Sequence, residues 1–287
     1  MVNLIQTIGL IGSTGNLGKV VYNQLIENGF KVELIGRNFS ESNNGRLIPF
    51  ENIEFRRDQK IDLVINLSNY YTPMPKGEDF ERMKDSILGV AEAIAKFNKG
   101  KNVPIVSAST YFQYCPNTLQ PWSLYSELKS EAQYVLTQHA IDMNFCFSDF
   151  VLFDNYGGGR KDKFLDIAIK SINATSPIPA TFGEQVVNLA HVCDISSAIV
   201  NESKKLLSCR EPIIQFFDLR SDETFTLREI ARLIETIAGK RPNIRWGALP
   251  YREKEVFQLW TTGLERPAGW VPQERVSDYI SDVASEQ

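Results

Sequence analysis

Tyr125 and Lys129 stand four residues apart in Tyr125-Ser126-Glu127-Leu128-Lys129, and on a helix that spacing puts a phenol and an ammonium on one face. An ammonium beside a phenol favours phenolate and lowers the tyrosine pKa from its ordinary value of about 10. Such a pair can exchange a proton with a carbonyl or alcohol oxygen. The chain has ten tyrosines, so an accidental pair of this spacing somewhere has nearly even odds, and only its place in the fold gives it meaning.

A second motif supplies that place. Gly12-Ser13-Thr14-Gly15-Asn16-Leu17-Gly18 has glycines at every third position, directly between an apolar run and an amphipathic one. A strand, a glycine turn and a helix N-terminus together bring unpaired N–H groups and a partial positive charge to a pyrophosphate. Gly12, Thr14, Gly15, Asn16, Leu17 and Gly18 are therefore expected to bind a dinucleotide. At the end of the next strand, where an acidic residue would accept the ribose hydroxyls of NAD, the chain has Arg37. A guanidinium suits a 2′-phosphate, so NADP(H) is favoured over NAD(H).

The elements that must position these groups follow from alternating apolar patterns. Thr7 to Gly12 reads as a buried strand, Asn16 to Asn28 as a helix ended by Gly29, and Lys31 to Ile35 as a second strand. Strands are expected around Ile53 to Phe55 and at Asp62 to Leu67, then a helix from Phe80 to Asn98 and a strand at Val103 to Ser107. A helix from Ser123 to His139 carries the tyrosine–lysine pair, and Phe145 to Leu152 follows as a strand. This alternation predicts an α/β fold with a doubly wound parallel Rossmann sheet and a smaller C-terminal substrate lobe. The dinucleotide-binding domain is expected over 1–155, rejoined by about 188–220 through a helix at Val192 to Leu207 and a strand at Ile213 to Leu219. The lobe is then 156–187 and 221–287.

Composition narrows the function classes. The 287 residues are 43% hydrophobic and 23% charged, with a net charge of -4, which disfavours a general nucleic-acid binder. Cys115, Cys146, Cys193 and Cys209 are too scattered for a disulfide framework or a metal site, and a reducing cytoplasm suits them. The N-terminus has neither a leader pattern nor a run long enough to span a bilayer, so no membrane association is expected. His191 and Trp246, Trp260 and Trp270 read as structural residues.

The glycine turn, the hydroxyl-rich segment Ser107-Ala108-Ser109-Thr110 and the Tyr125/Lys129 pair resemble the short-chain dehydrogenase/reductases. Tyr156-Gly157, His191-Val192-Cys193-Asp194 and Leu249 to Glu255 are similar to segments of the extended, nucleotide-sugar branch. Thr110-Tyr111-Phe112-Gln113 and Gly183-Glu184-Gln185 look most like CDP-abequose and CDP-paratose synthases, which reduce a 4-keto group with NADPH. The resemblance implies that Tyr125 is the acid, that Lys129 contacts the cofactor ribose, and that Arg252 and Phe164 bind substrate, Arg252 at its pyrophosphate. The family's catalytic hydroxyl falls on Ala108, leaving Ser107, Ser109 or Thr110 to hold the substrate oxygen. Asp154 and Val187 stand where the branch often has asparagine and arginine.

The resemblance thus implies an NADPH-dependent 4-ketoreductase of a nucleotide-deoxysugar, with a CDP-linked sugar favoured and a homodimer possible. An NAD-retaining epimerase or dehydratase is the alternative enzyme, and a non-catalytic NADP(H)-sensing module the alternative of another class. Ala108-Ser109-Thr110 supplies no carboxylate for dehydration, and the intact tyrosine–lysine pair argues against a sensor.

Overall fold

The computed structural model describes residues 5–36, 48–49, 60–72, 75–116 and 122–286. Its chain divides into two units. The first comprises Met1–Val151, Ser196–Asp218 and Thr262–Pro267; the second comprises Leu152–Ile195, Leu219–Thr261 and Ala268–Gln287.

In the first unit, β1 (Thr7–Ile11) is buried at every position, as an uninterrupted apolar run requires of a strand covered on both faces. α1 (Asn16–Glu27) buries Gly18, Val21 and Leu25 along one stripe, and each of the two aliphatic side chains contributes about 1.5–3 kcal/mol. Gly29 ends it with φ +82°, its N–H donating to the Ile26 carbonyl and that of Phe30 to the Leu25 carbonyl. β2 (Lys31–Gly36) pairs in parallel with β1, and β3 (Ile48–Pro49) pairs with β2. The strand expected around Ile53 to Phe55 lies outside the described residues, as does Arg37.

β4 (Leu63–Asn66) returns to the other side of β1. The helical run expected from Phe80 is α2 (Glu78–Lys84), a π-helical turn at Asp85–Gly89, and α3 (Val90–Asn98). The buried Asn98 side chain both donates to and accepts from the Val103 backbone, fixing the turn into the next strand. That strand, β5 (Ile105–Thr110), is followed by α4 (Leu124–Met143) and β6 (Phe147–Leu152). α4 runs past the expected end at His139 because nothing breaks it before Asn144, which adopts the left-handed conformation at φ 58°. Next come β7 (Asp154–Tyr156), α5 (Phe164–Ser171), β8 (Ile178–Pro179), β9 (Val186–His191), α6 (Val192–Ser208) and β10 (Ile214–Asp218). β10 pairs in parallel with β6, so this late segment rejoins the first sheet.

The first unit's sheet has the order β10-β6-β5-β4-β1-β2-β3. The chain runs outward from β1 to β3, then restarts beside β1 at β4 and runs the other way. This is the doubly wound order, whose reversal lies between β1 and β4 and opens a crevice at the carboxyl ends of those strands.

The second unit adds β11 (Thr224–Thr226), α7 (Leu227–Ala238), β12 (Ile244–Arg245) and α8 (Val276–Ser285). Its sheets are β11-β9-β7 and β12-β8. The expected rejoining segment began at about 188, whereas residues 188–195 belong to this unit, because β9 pairs with β7 and β11. Tyr156, Leu165, Ile169, Leu189, Ile230 and Ile280 lie at its core. Among the described residues no helix is long and apolar enough to cross a membrane.

Candidate active site

The glycine turn closes onto the crevice between β1 and β4. Gly12 has φ +83°, and a Cβ there would lie 2.6 Å from the Leu67 carbonyl carbon and oxygen at the end of β4. Gly18 is needed for a different reason: its Cβ would meet the Gly12 carbonyl oxygen at 2.1 Å. Gly15 caps α1 in an extended conformation and donates its N–H to the Gly12 carbonyl at 3.1 Å. Thr14 and Gly15 are exposed at the tip, while Asn16 and Leu17 open the helix, whose first turn carries no acidic residue. A helix N-terminus with no acidic residue in its first turn, set behind a glycine turn, fits a dinucleotide pyrophosphate.

At the carboxyl end of the neighbouring strands stand Tyr125 and Lys129, brought there by α4. The helix starts where the Ser123 hydroxyl accepts the Ser126 N–H, a cap that fixes its first turn. Lys129 is 8% exposed, and its ammonium donates to the carbonyls of Ala108 at 3.0 Å and Ser68 at 3.4 Å. Burial lowers its pKa to about 8, against the pull of the Asp149 charge. The Tyr125 phenol is pushed above its ordinary range, mainly by burial, while a hydrogen bond with the Asn69 side chain draws it back. Its ring meets that of Tyr71 edge-on at 5.0 Å. Where the spacing predicts a phenol lowered by Lys129, the phenol of this structure stands above its ordinary range, and burial is the main cause.

The three candidate hydroxyls separate cleanly. Ser107 donates to the Asp149 carboxylate. Thr110 caps the 3-10 turn Tyr111–Tyr114, its side chain accepting from the Gln113 backbone. Ser109 is 5% exposed and its buried oxygen has no hydrogen-bond partner. An unpaired buried hydroxyl is costly, and it is the one of the three left to bind something else. Ser109 lines the same pocket as Asn66, Ser68, Lys129, Gln133 and Asp149.

The two residues expected to bind substrate lie in the second unit. Phe164 opens α5 with its ring 6.0 Å from that of Trp246. Arg252 is on an exposed stretch, its guanidinium 4.0 Å from the Glu255 carboxylate. His191 packs between Tyr156 and Tyr279 against Gly157, where a Cβ would fall 2.0 Å from its ring nitrogen. Four groups near the tyrosine–lysine pair were not foreseen: Asn69, Tyr71, Gln133 and Asp149. Gln133 had a signal, since it continues the Tyr125, Lys129 series by another four residues along one helix face.

No family model matches the chain. Nor does any curated protein. Solved structures do match over nearly its whole length. UDP-glucose 4-epimerase of Thermotoga maritima with UDP-glucose is 16% identical, with a TM-score of 0.80 and 98% of each chain covered. MoeE5 in complex with UDP-glucuronic acid and NAD is 17% identical, with a TM-score of 0.77 and 96% of each chain covered. dTDP-glucose 4,6-dehydratase of Bacillus anthracis in complex with NAD is 14% identical, with a TM-score of 0.75, covering 98% of this chain and 96% of that one. Likeness at these identities establishes the fold.

Proposed function

We propose that this protein is an oxidoreductase-type enzyme that uses a nicotinamide dinucleotide to move hydride at a carbon of a nucleotide-linked sugar. The observation that carries the reading is that Lys129 and the spare Ser109 hydroxyl line one pocket with Asn66 and Ser68, at the end of β4 where the Gly12 turn meets Leu67, while Tyr125, one helical turn before Lys129, meets Asn69 and Tyr71. The dinucleotide supplies the hydride when bound. Gly12, Gly15 and Gly18 cradle its pyrophosphate and Lys129 holds the adjacent ribose. Ser109 binds the reacting sugar oxygen, and Tyr125 gives or takes its proton. Arg252 and Phe164 are assigned to the substrate on the resemblance alone.

Two finer readings have support of different kinds. The fold neighbours named above include a UDP-sugar 4-epimerase and an NAD-bound dehydratase, which favours a retained NAD that is reduced and reoxidised within one turnover. Arg37 and the absence of a carboxylate in Ala108-Ser109-Thr110 favour net reduction of a 4-keto sugar, CDP-linked by resemblance, with exchangeable NADPH.

The deciding experiment titrates NAD(H) and NADP(H) into the purified protein, then adds UDP-, dTDP-, CDP- and GDP-sugars and their 4-keto forms. Stoichiometric loss of the reduced-nicotinamide band with a keto sugar establishes the reductase. Product formation without net cofactor consumption establishes the retained-cofactor reading, an epimerase where the product is an isomer of the substrate and a dehydratase where water is lost. Absence of dinucleotide binding would remove both.

A further inference from the structure

We infer that Asp149 is the counter-ion of Lys129 and a positioning residue of the candidate active site: a buried carboxylate, pinned by Ser107 and Gln133, faces the pocket that the buried Lys129 ammonium also lines. Asp149 lies in the middle of β6 and is 1% exposed. A carboxylate so placed is costly unless a cation compensates it. Its hydrogen-bond partners are both neutral, the Ser107 hydroxyl on one oxygen and the Gln133 amide on the other at 2.7 Å. Lys129 presents the complementary deficit: a buried ammonium whose two acceptors are uncharged backbone carbonyls. Both charges line one pocket.

The other groups facing the pair do not change this balance. Tyr125 on the same helix and Ser68, Ala108 and Ser109 on the strand ends bring no charge to Lys129. On the far side of Asp149, the Gln133 amide also reaches the Tyr114 hydroxyl at 3.3 Å. Burial, and after it the charges of Asp149 and Asp218, push the Tyr114 phenol up against the pull of its Gln133 hydrogen bond. Asp218 in turn accepts the Thr262 hydroxyl at 2.6 Å.

The helix geometry gives the arrangement a purpose. Tyr125, Lys129 and Gln133 form one row along α4, so the Gln133–Asp149 clamp ties that row to β6 and Ser107 ties β5 to the same carboxylate. Asp149 opposes the burial that depresses the Lys129 amine. Without the carboxylate the amine loses its proton closer to neutral pH, which weakens the charge-assisted hydrogen bonds to the ribose it is proposed to hold. This role in the reaction rests on the hydride-transfer reading; the charge pairing does not.

The test reads Lys129 directly. In 15N-lysine NMR, with its signal assigned by Lys129→Arg, the amine pKa is followed in wild type, Asp149→Asn and Ser107→Ala. Loss of the carboxylate lowers it by about one unit or more, whereas loss of the serine hydrogen bond leaves it close to wild type. Equal values in wild type and Asp149→Asn overturn the proposal. If Asp149→Asn does not fold, the same Lys129 signal is followed in Asp149→Ser, a smaller neutral replacement, and an amine pKa equal to wild type overturns the proposal. A shifted Lys129 in a protein that turns over no nucleotide sugar removes the hydride-transfer reading and leaves the pairing standing.

Discussion

The buried, partnerless oxygen of Ser109 makes opposite demands on stability and on function. Deleting it removes a desolvated group that gains nothing inside the protein, while deleting a substrate contact raises a barrier. Ser109→Ala is accordingly expected to unfold at the same denaturant concentration as wild type or a higher one, yet to turn over about 10²-fold more slowly. Tyr125→Phe, which removes the proton donor, is expected to lose about 10²- to 10⁴-fold in turnover with dinucleotide affinity nearly unchanged. Steady-state rates, denaturation midpoints and cofactor titration on the two variants decide the matter, and wild-type turnover in either one removes that residue from the reaction. The residue types were legible in the sequence, but their division of labour was not. Ser107 and Thr110 are spent on Asp149 and on a turn, and those partners lie 42 and three positions away in the chain.

At the scale of elements, the first strand, turn and helix were legible to within a residue or two because buried aliphatics, glycines and helix periodicity all agree there. The fit at Gly18 is tight enough to be tested. A Cβ would lie 2.1 Å from the Gly12 carbonyl oxygen, which is backbone and cannot rotate away, so Gly18→Ala must push α1 off the turn. Dinucleotide affinity is expected to fall at least about 10-fold, and the protein to be destabilised by roughly 1–3 kcal/mol as overpacking costs. Titration calorimetry and urea unfolding check both numbers; unchanged affinity would mean that the turn does not hold the pyrophosphate. The second unit was harder to read for a physical reason. β7, β8, β11 and β12 have two or three residues each, too few to show an alternation. α7 did carry a signal, since Thr226 and Glu229 form a reciprocal cap before an apolar stripe. Asp149 was invisible for the opposite reason: one charge within Phe147-Ser148-Asp149-Phe150 gives no hint that β5 and α4 will meet it.

For the whole molecule, a buried lysine makes stability depend on pH in a window set by its folded and unfolded pKa values. Lys129 titrates at about 8 in the folded chain against 10.5 when unperturbed. Below that window the amine is charged in both states, and the folded state bears the full cost of burying it. Within the window the folded amine is already neutral while the unfolded chain still binds the proton, so stability rises with pH. Above it the difference no longer changes. The rise is at most about 3 kcal/mol for a shift of this size. Other lysines and tyrosines ionise in the same range, so the contribution is isolated by comparison with Lys129→Met, which keeps the apolar stem and lacks the titration. Wild type is expected to gain on this variant steadily from about pH 8 to 10.5 and then to run parallel with it. Urea midpoints of the cofactor-free proteins across the window measure this. A difference that stays flat with pH would show that Lys129 is not a depressed, buried amine. A difference that falls with rising pH would mean that Asp149 outweighs burial and holds the amine above its ordinary pKa.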